Sequence, residues 1–235
     1  MRGDGVAARG PAPDGGGVLT QASVGRLSDD VPLPDRLLAV ATRLFAERGF
    51  EGTSVQEIVN AAGVTKGAMY HYFGSKDDLL YEIYHRLLGL QMRRLEQIAD
   101  GPGPAGERLR AAALDVLETS FLYLDDFTVF FRSTHLLSRD RREAVRAERR
   151  RYQERFRDLV EEGQREGSFR TSMPADIAVL FFFGTVHQIG AWYHPGGRLK
   201  TRTIAEHYVD LFLNGITQGG EFPRGDAPPG TPRHG

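Results

Sequence analysis

Thr65, Lys66, Gly67, Ala68, Tyr70 and His71 fall within one short run of the chain and share a chemistry. The side chains are small at the start of the run and hydrogen-bonding or cationic around it. That combination permits close approach to base edges and phosphates, from which bulky aliphatic groups would stand off. A little further on, Ser75-Lys76-Asp77-Asp78 has the form of a capping box, with Ser75 as cap. Lys76 and the free backbone N–H groups of such a helix start make a favourable seat for a phosphate. Core packing is the competing reading for Tyr70 and Tyr72, and solvated charge for Lys66 and Lys76; Phe73 is expected in a core.

The elements that must hold these residues lie on either side. Val55, Ile58, Val59 and Ala62 are apolar at helical spacing, with Ser54 as N-cap. Gly63 follows, where a helix most often needs a left-handed residue to stop. Val64 returns the chain to a core, and Thr65 caps a second helix running to about Tyr72. Upstream, a helix from about Pro34 to Arg48 places Leu37, Ala41, Leu44 and Phe45 on one face and stops at Gly49. Two helices joined by a short glycine turn form a helix-turn-helix, whose second helix fits the DNA major groove. Spacing alone describes an ordinary helical hairpin equally well.

The residue types resemble the N-terminal signature of the TetR family of bacterial transcriptional regulators. Phe45, Gly49 and Phe50 stand at its spacings, then Thr53, Ser54, Ile58, Ala62, Gly63, Val64, Thr65 and Gly67, then Tyr70, Tyr72, Phe73, Lys76 and Leu79. Val59, where the family usually has alanine, is a conservative departure. The resemblance covers about residues 36 to 82. It implies DNA contacts on Ser54 and Gln56 of the first motif helix and on Thr65, Lys66, Gly67, Ala68, Tyr70 and His71 of the recognition helix. Tyr72 and Lys76 would meet the DNA backbone, with Tyr70 and Lys76 carrying the most weight. The implied function is a ligand-responsive repressor that binds a palindromic double-stranded operator as a homodimer and is released by a small molecule.

Between Pro34 and His85 five Lys/Arg stand against seven Asp/Glu. That is not the basic footprint of a nonspecific nucleic-acid binder. Binding is expected to rest on a few placed cations, helix N-termini and polar side chains, doubled by dimerisation, with a shallow salt dependence. The whole chain of 235 residues has a net charge of −1, long enough to bury a sizeable core and without bias toward polyanions or membranes. The absence of cysteine excludes disulfides, thiolate zinc sites and cysteine nucleophiles, and fits a reducing cytosol. The opening MRGDGVAARGPAPDGGGV lacks the apolar core of a signal peptide, and the apolar run Ile177 to Tyr193 is interrupted by His187 and Gln188. A soluble, cytoplasmic protein with no membrane partner and no cofactor is expected.

Residues 1–32 and 219–235 are rich in Gly, Pro and Asp and are expected to be disordered. Between them lie a DNA-binding domain over 33–80 and a ligand-binding and dimerisation domain over 81–218. A helix from Ser75 carries Tyr81, Ile83, Tyr84, Leu87, Leu88 and Leu95, and GPGPAG (101–106) breaks it. Further helices are expected near 105–124, 126–137, 139–166, 174–193 and 201–217. The fold class is therefore all-α: an N-terminal three-helix helix-turn-helix domain plus a larger C-terminal helical domain.

The helices near 174–193 and 201–217 are the expected homodimer surface. Ile204, Tyr208, Leu211, Phe212 and Ile216 form a stripe on the second. IAVLFFFGTVHQIGAWY is apolar nearly all round, which suits a symmetric four-helix interface, with a central core helix as the plainer reading. The body's aromatics and histidines suit an apolar pocket with a few polar anchors, for which Phe121, Phe127, Phe131, His135, Arg149, His187 and Trp192 are candidates. Arg139 to Arg157 holds nine arginines against four acids, either a solvated helix with i,i+4 pairs or an anchor for an anionic ligand group. WYHPGGRL resembles the TetR subgroup that responds to acyl-CoA thioesters, so an acyl-CoA is the expected effector.

An enzyme is not expected. Glu82 and His85 form a single Glu-x-x-His, whereas di-iron chemistry needs a second copy. Neither a phosphate-cradling glycine loop nor a nucleophile elbow is present. The remaining rival is a helical partner-binding or structural protein without DNA binding.

Overall fold

The computed structural model describes residues 31–217, so both tails lie outside the described residues. Helix α1 (Leu33–Arg48) begins with Pro34 in its first turn, where a missing N–H costs no helical bond. It buries Leu37, Ala41, Leu44 and Phe45, as their spacing required. Helix α2 (Val55–Ala61) opens on a full capping box. The Ser54 hydroxyl accepts the Glu57 N–H at 3.2 Å, and Glu57 Oε2 accepts the Ser54 N–H at 2.8 Å. Gly63, at φ +67°, makes the turn, because a side chain is strained in that conformation. Helix α3 (Lys66–Tyr72) is capped by Thr65, whose hydroxyl accepts the Ala68 N–H at 3.2 Å.

Helix α4 (Lys76–Ala99) is followed by α5 (Ala105–Leu122), α6 (Leu124–Ser133), a 3-10 turn (Thr134–Leu136) and α7 (Arg139–Arg165). Helices α8 (Ala175–Val186), α9 (Ile189–Trp192) and α10 (Thr201–Ile216) complete the described chain. Apart from an isolated bridge between Phe169 and Thr217, all regular structure among the described residues is helical.

Three boundaries differ from expectation for identifiable reasons. The α5–α6 break falls at Tyr123, and Asp125 and Asp126 sit in the first turn of α6, where the Asp125 carboxylate complements the helix dipole. The expected helix over 126–137 tightens into the 3-10 turn at Thr134, whose hydroxyl donates back to the Phe130 carbonyl. The expected helix over 174–193 is interrupted at His187 and Gln188, just after Thr185 donates back to the Phe182 carbonyl at 2.7 Å. Threonine back-bonding competes with the helical ladder and bends or ends helices.

The described chain divides into two compact units, 31–93 with 120–150, and 94–119 with 151–217. In the first, α1, α2 and α3 pack on one another and α6 packs on α1. Their shared core contains Leu37, Ile58, Met69, Leu79 and Tyr84, with Val129, Phe130 and Val145 from the later segment. Tyr84 is fully buried, and its hydroxyl donates to the Val129 carbonyl at 2.9 Å. In the second unit, Phe156 stacks on Phe182 at 5.0 Å, and Phe182 meets Phe212 at 4.9 Å, joining α7, α8 and α10.

Candidate nucleic-acid interface

The helix-turn-helix presents a face that its own core does not consume. Met69 points inward and is wholly buried, which fixes the rotation of α3. Thr65, Lys66, Gly67, Tyr70, His71 and Tyr72 are then exposed, and Ala68 is half-buried. Tyr70 and Tyr72 are 50% and 49% exposed, so the core-packing reading fails for both. Phe73 is buried, as expected. Neither the Lys66 ammonium nor the Tyr70 hydroxyl has a hydrogen-bond partner among the described residues. The His71 and Tyr72 rings meet edge to face at 5.0 Å, which holds both off the helix axis.

On α2, Gln56 is exposed and donates to the Asn60 side chain at 2.8 Å. Ser54 is exposed, but its hydroxyl and N–H are both engaged with Glu57. Those hydrogen bonds, and then Arg48, hold the Glu57 carboxyl below the usual glutamate range. Ser54 therefore works first as a cap.

Lys76 is placed differently from the other candidates. Its Nζ donates to the Phe50 carbonyl at 2.7 Å and the Thr53 carbonyl at 2.9 Å. It also lies 4.2 Å from the Phe50 ring centroid. Burial pushes its pKa down, against the pull of the Glu51 carboxylate. Ser75 caps α4 by accepting the Asp78 N–H at 3.1 Å. The Asp77 and Asp78 carboxylates turn instead to Arg141 of α7, with 2.6 Å between Arg141 Nη1 and Asp77 Oδ2. Arg86 likewise joins Asp35 of α1 to Glu82. Sequence spacing signals only the i,i+4 pair of Glu82 and Arg86; the contacts of Arg86 with Asp35 and of Arg141 with Asp77 and Asp78 cross between elements.

The ligand candidates are distributed over both units. Phe127, Phe131 and Arg149 come together in the first unit. The Arg149 guanidinium lies 5.7 Å from the Phe131 ring centroid, and Phe131 lies 6.1 Å from Phe127. Burial lowers the Arg149 pKa. Phe121 is half-buried, whereas the His135 side chain is exposed, its carbonyl accepting from Arg142 at 3.2 Å. His187 and Trp192 belong to the second unit, where Trp192 stacks on Tyr208 at 6.0 Å. The His85 ring contacts Glu148 at 3.0 Å and Glu82 pairs with Arg86, so the two residues of the Glu-x-x-His pair turn to different partners. Of the arginine-rich stretch, Arg139, Arg141, Arg155 and Arg157 are in ion pairs.

The expected dimer stripe on α10 also divides. Ile204, Phe212 and Ile216 are buried within the chain, while Leu211 is 72% exposed. On α8, Ile177, Leu180 and Phe181 are exposed at i, i+3 and i+4 spacing.

Comparison with known proteins agrees with this architecture. Residues 37–83 match the family described as bacterial regulatory proteins, tetR family, and residues 102–216 match the tetracyclin repressor-like C-terminal domain. The HTH-type transcriptional repressor KstR2 of Rhodococcus jostii is 30% identical over 187 residues, covering 77% of this chain and 89% of that protein. The structure of the ketosteroid transcriptional regulator KstR2 of Mycobacterium tuberculosis superposes with a TM-score of 0.73 at 27% identity, covering 82% of this chain and 100% of that one. AibR in complex with isovaleryl coenzyme A and operator DNA superposes with a TM-score of 0.69 at 26% identity, covering 77% of this chain and 97% of that one. With both its helix-turn-helix and its body matched, this chain belongs to the TetR family of DNA-binding transcriptional regulators.

Proposed function

We propose that the protein is a cytoplasmic repressor that binds a near-palindromic operator as a homodimer and is released by an acyl-CoA. The observation that carries this reading is the exposed face of α3, where Lys66 and Tyr70 have no hydrogen-bond partner among the described residues although the helix is capped by Thr65 and anchored by Met69. That face enters the major groove, with Thr65, Lys66, Gly67, Ala68, Tyr70 and His71 at base edges and nearby phosphates. Gln56, Ser54 and Tyr72 flank it on the backbone.

The exposed α8 stripe and Leu211 of α10 supply an apolar surface for a second copy. A symmetric dimer would carry two recognition helices to half-sites about 34 Å apart. For the effector, Arg149 over Phe131 pairs a guanidinium with an aromatic wall, as an anionic thioester ligand requires. The solved complex of AibR with isovaleryl coenzyme A and operator DNA supports the same class. Within this unit α6 packs on α1 and is tied to α4 through Tyr84 and Val129, so a ligand that shifts α6 shifts the head. In this division residues 33–80 read DNA and residues 81–218 bind the effector and the partner copy.

A gel shift with the DNA flanking the protein's own gene, with and without a series of acyl-CoAs, tests this function. Tyr70→Ala should reduce operator affinity by at least about tenfold while leaving the dimer and acyl-CoA affinity unchanged. Absence of a shifted band with the wild-type protein would instead favour a partner-binding helical protein.

A further inference from the structure

Lys76 holds a position in the head that a phosphate contact does not account for. The chain between α1 and α2 is a tight loop fastened from several sides. Thr53, 1% exposed, donates its hydroxyl to the carbonyls of Gly49 at 2.8 Å and Leu44 at 3.2 Å. Its N–H donates to the Phe50 carbonyl at 3.3 Å. The Phe50 ring packs edge-on against Phe45 at 5.1 Å. A Cβ on Gly52 would lie 2.6 Å from the Arg48 carbonyl oxygen, so the loop has no room for another side chain there.

Those bonds attach the loop to α1. Its attachment to α4 runs through Lys76, which joins the Phe50 and Thr53 carbonyls and covers the Phe50 ring. Two of the three ammonium N–H groups are committed to backbone acceptors, and the ring face adds cation–π attraction. A phosphate could take two or more of these N–H groups only by drawing Nζ away from the part-buried carbonyls, at the cost of the Thr53 carbonyl above all, since that of Phe50 keeps the Thr53 N–H. The Thr53 carbonyl immediately precedes Ser54, the cap of α2. Movement of the first turn of α4 is therefore felt at the start of α2 through a short, charged link.

We propose that Lys76 is a positioning residue, whose ammonium ties the first turn of α4 to the α1–α2 loop and so sets the angle at which α2 and α3 meet DNA. This rests on the DNA-binding reading above. It makes the head follow α4, because displacement of that helix pulls on two backbone carbonyls at once. A lysine engaged only with phosphate would leave the loop indifferent to α4.

The test compares wild type, Lys76→Met and Lys76→Gln. Operator affinity is measured across a salt series, and amide hydrogen exchange is measured without DNA. Wild-type operator binding is the control for the DNA-binding reading; the exchange arm reports on the tie independently of it. Lys76→Met should weaken operator binding at least about tenfold with the slope of log affinity against log salt unchanged. Amides over residues 50–57 should exchange at least about tenfold faster, with those of α6 unaffected. A slope smaller by about one per protomer, with exchange unchanged, would identify a phosphate contact and overturn the proposal. Should Lys76→Met fail to fold, Lys76→Gln decides. It removes the charge but keeps an N–H donor for the two carbonyls, so exchange over residues 50–57 close to wild type with an unchanged slope supports the tie, and a slope smaller by about one per protomer overturns it.

Discussion

Replacing Arg141 by alanine tests whether α7 stabilises the head through charge. Arg141 reaches Asp77 and Asp78 in the first turn of α4, and its guanidinium lies 5.5 Å from the Tyr81 ring centroid. The three charged side chains are 26–30% exposed, between the regimes of surface and buried ion pairs. Each of the two contacts is then worth about 1 kcal/mol, at the upper end for surface pairs. The ring contact adds about 0.5 kcal/mol. The net loss is about 2.5 kcal/mol, a fall of about 5–10 °C in Tm for a chain of this size. Thermal unfolding should be followed for Arg141→Ala in the wild-type and in an Asp77→Asn/Asp78→Asn background. Charge pairing requires the loss to shrink to about 0.5 kcal/mol, that of the ring contact alone, in the second background. The same loss in both would refute it and reduce Arg141 to a packing residue.

Asp126 is buried in the first turn of α6, and burial, aided by the neighbouring Asp125 charge and opposed by its own N–H, pushes its pKa up to about 7. Between about pH 4 and pH 7 the folded carboxyl keeps a proton that the unfolded chain has lost, so stability should fall as pH rises through this window and level off above it. Asp126→Asn should flatten that slope and gain stability on the order of a few kcal/mol at pH 8; equal slopes in urea unfolding from pH 5 to 7.5 would contradict the assignment. For the proposed dimer, Phe181, 59% exposed in the single chain, should tolerate glutamate without loss of fold. Two copies of Phe181→Glu should cost at least about 2 kcal/mol of association, raising the dimer dissociation constant about thirtyfold or more, and sedimentation showing an unchanged dimer would exclude α8 from the interface.

The head was legible because its determinants are local. Ser54, Gly63, Thr65 and Met69 act within a turn or two of their own positions, so spacing was enough to place both motif helices. The body was legible only as a set of helices. Its breaks at Thr134 and after Thr185 depend on hydroxyls that fold back onto the ladder, which apolar periodicity does not register. The α10 stripe divides for a related reason. Ile204 and Leu211 look alike in sequence, yet one is covered by the chain and the other is not. The aromatics of the body were equally ambiguous: Phe131 sits under Arg149, whereas Phe182 lies between Phe156 and Phe212 in the core.

Charge in the head had the most misleading local signature. The window from Pro34 to His85 holds more acids than bases, which suggests a surface that repels DNA. In the folded chain Asp35 and Glu82 are taken by Arg86, Asp77 and Asp78 by Arg141, and Glu57 by Arg48. Both Arg86 and Arg141 lie outside the window, so no count within it could reveal the compensation. Neutralising these acids removes repulsion without adding a phosphate contact. The salt dependence of binding follows the number of phosphates neutralised, and Lys76 is already committed to Phe50 and Thr53. On the recognition helix that leaves Lys66 as the lysine without an ion pair among the described residues. The expectation of a shallow salt dependence therefore rests on a different reason: few cations reach the phosphates, although most of the acids that seemed to oppose them are spent inside the head.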